Sequence, residues 1–194
     1  MLTPADLYSL EHYARIRPEF RGRVMAHKAR RRLALGDHAA LYFEDALTMH
    51  YQVQEMLRLE RIFEPEGIQA ELDVYNPLIP DGSNWKATFM LEYSEVEERR
   101  QALARLIGIE RQVWLRVAGC DPVRPLANED LERQTEDKTS AVHFLRFELS
   151  PAMVARLKAG ASLSAGIDHP AYGVEVTVPD TVRAALMADL ADLA

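Results

Sequence analysis

Four polar residues on one predicted helix are the first candidates for chemistry in this sequence. At about 100° per residue, segment 43–59 places them on one stripe away from its apolar side. Two carboxylates with hydroxyl groups between them could bind a polar ligand, a metal or a partner protein, or exchange protons in a shielded site. The alternative is a solvated face on which an acid pairs with a nearby arginine. The candidates are Glu44, Thr48, Tyr51 and Glu55.

Four further residues on predicted strands are candidates for a metal site. Alternating apolar and polar residues over 71–76 and 87–93, with turn residues at 80–82, predict a hairpin whose polar face carries three acids. A separate strand over 141–149 points a histidine toward its apolar side. Iron, manganese or zinc would suit these carboxylate and imidazole ligands, whereas a solvated sheet face and a hydrogen-bonded core histidine are the alternatives. The candidates are Glu71, Asp73, Glu92 and His143.

The chain lacks the motifs of several common reaction classes. It contains no Walker A loop, GxGxxG, GxSxG, HExxH or CxxC, and no glutamate stands three residues before any histidine. Cys120 is the single cysteine, which excludes an internal disulfide and a four-cysteine iron–sulfur site made by this chain alone. We therefore expect no intrinsic cofactor beyond a divalent metal. The residues leave open whether the protein is an enzyme.

Size and charge favour one domain over 1–194, with a basic helical segment at 1–32 and a body at 33–194. The chain has 194 residues, 48% of them hydrophobic, and a net charge of −7, yet its first 32 residues carry eight Arg and Lys against three acids. This segment could dock an acidic partner or pair with the protein's own acidic body. Nucleic acid is not expected, since no aromatic interleaving supports base stacking. No run approaches the roughly 18 apolar residues of a membrane span, and no signal-peptide pattern is present, so we expect a cytoplasmic bacterial protein.

The order of predicted elements favours an α+β fold, with a mostly antiparallel sheet of about six strands and helices packed on one face or end. Strands follow one another without the regular helical crossovers of a parallel sheet. Thr3, Ser94, Ser150 and Asp180 are the residues expected to start helices. The predicted helices span 4–13, 18–31, 43–59, 94–108, 151–158 and 181–193. The predicted strands lie in 33–43, 71–76, 87–93, 111–119, 141–149, 163–168 and 173–178.

Four segments together resemble the bacterial domain-of-unknown-function family 3501. They are LALGDHAALYFED, MHYQVQEMLRLERI, ELDVYNPLIPDGSN and KTSAVHFLRFEL, of which 52–56 and 76–82 are the most specific parts. The resemblance covers nearly the whole chain, and the family has no established activity to carry over. It implies a context: members are often encoded beside rubrerythrin and an iron–sulfur oxidoreductase. That setting suggests a role in peroxide defence or iron-linked redox, with the redox centres in the partners.

Two functional hypotheses follow. The first is a non-catalytic accessory or binding subunit that docks an iron–sulfur oxidoreductase or rubrerythrin through the basic N-terminal helix and the glutamate stripe. The second is a metal-dependent or acid–base enzyme that acts on a small molecule with the carboxylate and histidine candidates. A homodimer is compatible with both.

Overall fold

A computed structural model of the chain describes residues 1–131, 133, 135 and 137–191. The chain divides into two compact units, each made of two separate segments. Unit 1 comprises Met1–Arg30 and Glu44–Pro80, and unit 2 comprises Arg31–Phe43 and Asp81–Ala194. Most of the predicted basic helical segment therefore belongs to unit 1. The expectation of a single domain over the whole chain stays a prediction.

The longest element of unit 1 is helix α1, Leu10–Ala29, which begins after Ser9 caps its first turn. The sequence predicted two helices divided before Pro18, and this division is wrong. Thr3 caps only a short 3₁₀ turn at Pro4–Asp6, while α1 continues through Pro18. The proline removes one backbone hydrogen bond, but buried side chains on both sides of it hold the helix in the unit. These side chains are Tyr13, Phe20 and Val24.

Helices α2, Ala46–Glu60, and α3, Pro65–Tyr75, complete the main elements of unit 1. The second of them shows that the predicted hairpin is wrong, because residues 71–76 were expected to form a strand. Alternation over six residues does not by itself distinguish a strand from a helix. Here the helix buries Leu72 beside residues of α2 and leaves Val74 exposed.

Two apolar clusters hold unit 1 together. The first joins the buried side of α1 to Leu47 and Tyr51 of α2. The second joins Val53 and Leu57 of α2 to Leu72 of α3. No helix in the described part of the chain is long and apolar enough to cross a membrane.

Unit 2 contains two antiparallel sheets, and one apolar core draws residues from both. The α+β fold is confirmed, although the strands form two sheets instead of one. The first sheet has the order β1-β2-β3-β6-β5, and the second has the order β4-β7-β8. The short strand β5 was not predicted, because two residues are too few to leave a periodic pattern. The strands are β1 Arg32–Ala34, β2 Ala39–Phe43, β3 Asn84–Leu91, β4 Val113–Val117, β5 Leu126–Ala127, β6 Val142–Glu148, β7 Leu163–His169 and β8 Tyr172–Thr177.

Three helices of unit 2 pack apolar side chains into the same core. The prediction of the second helix is confirmed, and the Ser150 hydroxyl accepts the Met153 N–H as its cap. The first helix starts after Glu95 instead of Ser94. The predicted end of the third, Leu193, lies outside the described residues. The helices are α4 Val96–Arg105, α5 Pro151–Lys158 and α6 Asp180–Met187.

Candidate functional site

Glu55 of the predicted stripe accepts hydrogen bonds from three side chains. Its two carboxylate oxygens accept hydrogen bonds from Arg17 Nε and Nη2 at 2.8 Å each, and Oε1 accepts the Tyr13 hydroxyl at 2.8 Å. Arg58 donates to the same carboxylate at 3.1 and 3.2 Å. The Arg17 guanidinium, helped by the other two donors, lowers the pKa of Glu55 to about 2. The carboxylate is therefore ionised and supplied with donors from its own unit.

The other stripe residues are buried or partly buried. Thr48 is buried and forms a capping box with Asp45, whose carboxylate accepts the Thr48 N–H at 2.9 Å. The Tyr51 ring lies 6.1 Å from the Phe20 ring of α1. Glu44 is buried and precedes the helix, which begins two residues later. The alternative of a solvated face does not hold, because α1 packs against this side of α2 at Tyr51 and Glu55. A ligand-binding or partner-binding role for the four residues stays a prediction.

Two of the predicted metal candidates lie on α3 in unit 1. Burial and the nearby Glu60 carboxylate raise the pKa of Glu71. Asp73 is exposed and accepts a hydrogen bond from Gln69 Nε2 at 2.8 Å, one helical turn earlier. Because both acids are on a helix, the predicted shared sheet face with Glu92 does not exist.

The other two metal candidates lie in unit 2, where they have different partners. Glu92 accepts the Tyr42 hydroxyl at 2.6 Å and Arg32 Nη2 at 3.0 Å. His143 forms no hydrogen bond or ion pair with Glu92, Tyr42 or Arg32; its partners are different described residues. Among the residues that the structure describes, no group of three His, Cys, Asp or Glu side chains could hold a metal ion. An iron, manganese or zinc site stays a prediction.

His143 of β6 points into the core, as predicted, and both ring nitrogens have hydrogen-bond partners. Nδ1 lies 2.9 Å from Asn128 Nδ2, and Nε2 lies 3.0 Å from Thr139 Oγ1 and from the Ser140 carbonyl oxygen. Asn128 Oδ1 accepts the Phe144 N–H at 3.2 Å, which turns the amide NH₂ group toward the imidazole. Nδ1 is therefore the acceptor, and Nε2 carries the proton of a neutral ring. Burial lowers the pKa of His143.

This tautomer limits the chemistry of the His143 cluster. A hydroxyl, an imidazole and an amide in a row match the order of nucleophile, base and orienting group in a hydrolase. A base must present a lone pair to the hydroxyl, but Nε2 already carries a proton on the side of Thr139. The remaining lone pair, on Nδ1, accepts from Asn128 and is not available to a metal ion. The geometry describes a buried hydrogen-bonded cluster, not an acid–base pair ready to react.

Glu110 adds a second ionisable group beside His143. It lies in the 3₁₀ turn Ile109–Arg111, is 1% exposed, and places Oε2 3.9 Å from His143 Nε2. That oxygen has no hydrogen-bond partner among the described residues. Since a buried carboxylate oxygen without a hydrogen-bond donor costs free energy, this contact sets the cluster apart from the apolar core around it.

Three residues of the cluster were not predicted from the sequence: Glu110, Asn128 and Thr139. They belong to a 3₁₀ turn, the residue after β5 and the segment before β6, so no spacing in the sequence relates them. The inward histidine of β6 was the one available signal, because a buried polar side chain requires partners.

The outer side of α1 carries the basic charge that the sequence predicted for this segment. Arg17 pairs with Glu55 of the same unit, so part of the charge is neutralised internally. Four other arginines, three in α1 and one directly after it, are exposed and form no ion pair with any residue the structure describes. Only Glu11 and Glu19 contribute exposed acids to this helix. The four arginines are Arg15, Arg21, Arg23 and Arg30.

The described fold defines a class: α+β proteins with a helical unit and a unit of two antiparallel sheets. The chain belongs to the family described as Protein of unknown function (DUF3501), whose match spans residues 1–190. It is also similar to a novel protein of unknown function from Burkholderia pseudomallei K96243, known from a crystal structure. The two are 55% identical with a TM-score of 0.93, over 98% of this chain and 99% of that chain. A comparison with curated proteins found no match. The predicted family is confirmed, and its gene neighbourhood stays a prediction.

Proposed function

We propose that this protein is a non-catalytic binding subunit that docks an acidic partner protein through the outer side of α1. The proposed partner is a redox protein, either an iron–sulfur oxidoreductase or rubrerythrin, whose own centres would carry the electrons. One observation supports the docking surface: four exposed arginines, three in α1 and one directly after it, form no ion pair with the described residues. They are Arg15, Arg21, Arg23 and Arg30.

Exposed guanidinium groups on one helix suit recognition of an acidic surface. They attract an oppositely charged partner over a distance of about 10 Å at moderate ionic strength, and arginine is enriched in protein interfaces. Met25, one turn after Arg21, is 37% exposed and offers an apolar contact beside these charges. Arg23 already lies over the Phe20 ring, 5.1 Å from its centre, which limits the conformational freedom it would lose on binding. The redox class of the partner rests on the gene neighbourhood that the family resemblance implies.

Co-purification at low and high salt tests the proposal with the two partner proteins. The variant Arg15→Glu with Arg23→Glu reverses two charges of α1, and we expect its affinity to fall at least about tenfold. The matched control is Arg105→Glu with Arg156→Glu, which makes the same change of charge at exposed positions of unit 2. Its affinity should stay within about twofold of the native value.

High salt should weaken the native complex, because the attraction is between exposed charges. The absence of any complex with either partner at low salt would contradict the proposal. Equal losses in the two double variants would contradict the assignment of the surface to α1.

A further inference from the structure

Asn128 attaches β5 to β6 with its backbone and its side chain together. Its N–H donates to the Phe144 carbonyl oxygen at 2.8 Å, and its side-chain Oδ1 accepts the Phe144 N–H at 3.2 Å. β5 itself is only two residues long, so Asn128 supplies a large part of the pairing at this edge of the sheet. Its φ of 52° is left-handed, a conformation that asparagine adopts more readily than most residues.

We propose that Asn128 and His143 form a proton-sensitive latch, which is closed while the imidazole is neutral and opens when the ring takes up a proton from solvent. In the closed state Asn128 Nδ2 donates to His143 Nδ1. Protonation places a hydrogen on Nδ1, so that two donors face each other across 2.9 Å. The amide must then turn its oxygen toward the ring, and it gives up the Phe144 N–H. The edge of the sheet is released in the same step.

Two charged groups face His143 and act on its proton in opposite directions. The Glu110 carboxylate favours the protonated ring, whereas the Arg133 guanidinium in the segment before β6 disfavours it. Burial is the largest influence and lowers the pKa of His143, so the latch is closed at neutral pH and opens on acidification. The latch lies within unit 2 and does not depend on docking through α1.

Two measurements on the full-length protein test the latch. Nitrogen-15 NMR of the imidazole reports the tautomer and the protonation of His143, and hydrogen exchange reports the amides of Asn128 and Phe144. As the pH is lowered from neutral to below the ordinary imidazole pKa of 6.5, we expect the ring to change from the neutral Nε2–H form to the charged form. Exchange at the two amides, corrected for its intrinsic pH dependence, should rise about two- to tenfold in parallel. The Leu115 amide, bonded to the Val123 carbonyl oxygen in the other sheet, should not change.

A substitution at the latch and a matched histidine control sharpen the test. In Asn128→Asp both side-chain oxygens accept, so the charged ring and the Phe144 N–H are satisfied together; acid-induced exchange at Phe144 should disappear. Among the described residues, the His169 ring of unit 2 forms hydrogen bonds to the backbone of Ile107 and Ala171, and His169→Gln should leave the latch unchanged. If Asn128→Asp does not fold, the two measurements on the native protein still decide. A neutral ring in the Nδ1–H form, or protonation of His143 without faster exchange at Asn128 and Phe144, would overturn the proposal.

Discussion

The Glu55 ion pairs of unit 1 and the Arg31–Asp189 ion pair of unit 2 lie in opposite environments. In unit 1 the Glu55 carboxylate lies between two arginines whose side chains remain partly in water, 34% exposed for Arg17 and 35% for Arg58. In unit 2 the Arg31 side chain is 2% exposed and that of its partner Asp189 is 9% exposed. Water can replace a lost contact in the first case and not in the second. Similar pairs of residues should therefore contribute very differently to the two units.

Spectroscopy can follow the two units separately. Both tryptophans, Trp85 and Trp114, belong to unit 2, so their fluorescence reports its unfolding. The three longest helices belong to unit 1, which therefore contributes strongly to the helical circular dichroism band. Coincident transitions for every variant would show that the units unfold as one and would remove the basis for comparing them.

The largest expected effect comes from Asp189→Ala in unit 2. The Arg31 guanidinium also donates to the carbonyl oxygens of Phe43 at 3.0 Å and Ala185 at 3.2 Å, so it stays buried when its carboxylate is removed. We expect the free energy of unfolding to fall by about 3–5 kcal/mol, measured by tryptophan fluorescence in urea. The control is Asp180→Ala, which removes a 91% exposed carboxylate and should leave stability nearly unchanged. Equal losses in the two variants would contradict the role of burial.

The next largest loss of stability is expected at a glycine of the second sheet. A Cβ added at Gly166 would overlap the Trp114 ring at Cζ2, so Gly166→Ala must displace the indole ring. Overpacking of this kind costs about 1–3 kcal/mol, and tryptophan fluorescence would also register the displacement. Gly173 of the neighbouring strand has nothing within 4 Å of an added Cβ, so Gly173→Ala is the matched control. A stable Gly166→Ala protein with native fluorescence would contradict this packing.

A smaller loss is expected for Glu55→Gln in unit 1. The amide removes the charge that Arg17 and Arg58 contact, and we expect about 1–2 kcal/mol less stability at neutral pH by circular dichroism. The folded-state pKa of Glu55, about 2, lies below its ordinary value of 4.5. Its contribution is therefore complete above pH 4.5 and is lost as pH falls toward 2. Glu97→Gln, in an exposed pair with Arg100, should change stability little. A native pH profile in Glu55→Gln would contradict the assignment.

The smallest expected effect concerns His50 of unit 1. Its ring stacks on Tyr8 and lies beside Phe20, each 5.2 Å between ring centres, and burial lowers its pKa from 6.5. The unfolded chain then binds more protons, so stability falls as pH decreases below 6.5. His50→Gln should reduce the dependence of the free energy of unfolding on pH, measured by urea unfolding followed by circular dichroism. His12→Gln, at an exposed position, should keep it. The same pH dependence of the free energy of unfolding in the native protein and both variants would argue against titration of His50.

Elements with local signals could be predicted from the sequence. The bounds of α5 follow from a serine cap and a proline at the first helical position, which need no tertiary contact. β6 follows from regular alternation with an apolar side. The strand expected at 71–76 was wrong because packing of Leu72 beside α2 overrides a short alternating pattern.

Most of the His143 cluster could not be predicted from the sequence. The inward direction of His143 could be inferred from period-two alternation, but its partners could not. Glu110 and Asn128 approach it only because β5 pairs with β6 and a 3₁₀ turn closes beside them. Contacts between residues distant in sequence depend on the whole sheet, and a single sequence carries no pattern for them.

The division of each unit into two segments affects how the chain can be made and cut. β2 precedes the second half of unit 1, whereas its neighbour β3 follows it, so β2 and β3 cannot pair during synthesis until residues 44–80 and β3 itself have left the ribosome. The intervening stretch has time to form its helices first. A fragment that starts at residue 81 lacks β1 and β2 and leaves β3 with an open edge, which makes it prone to aggregation.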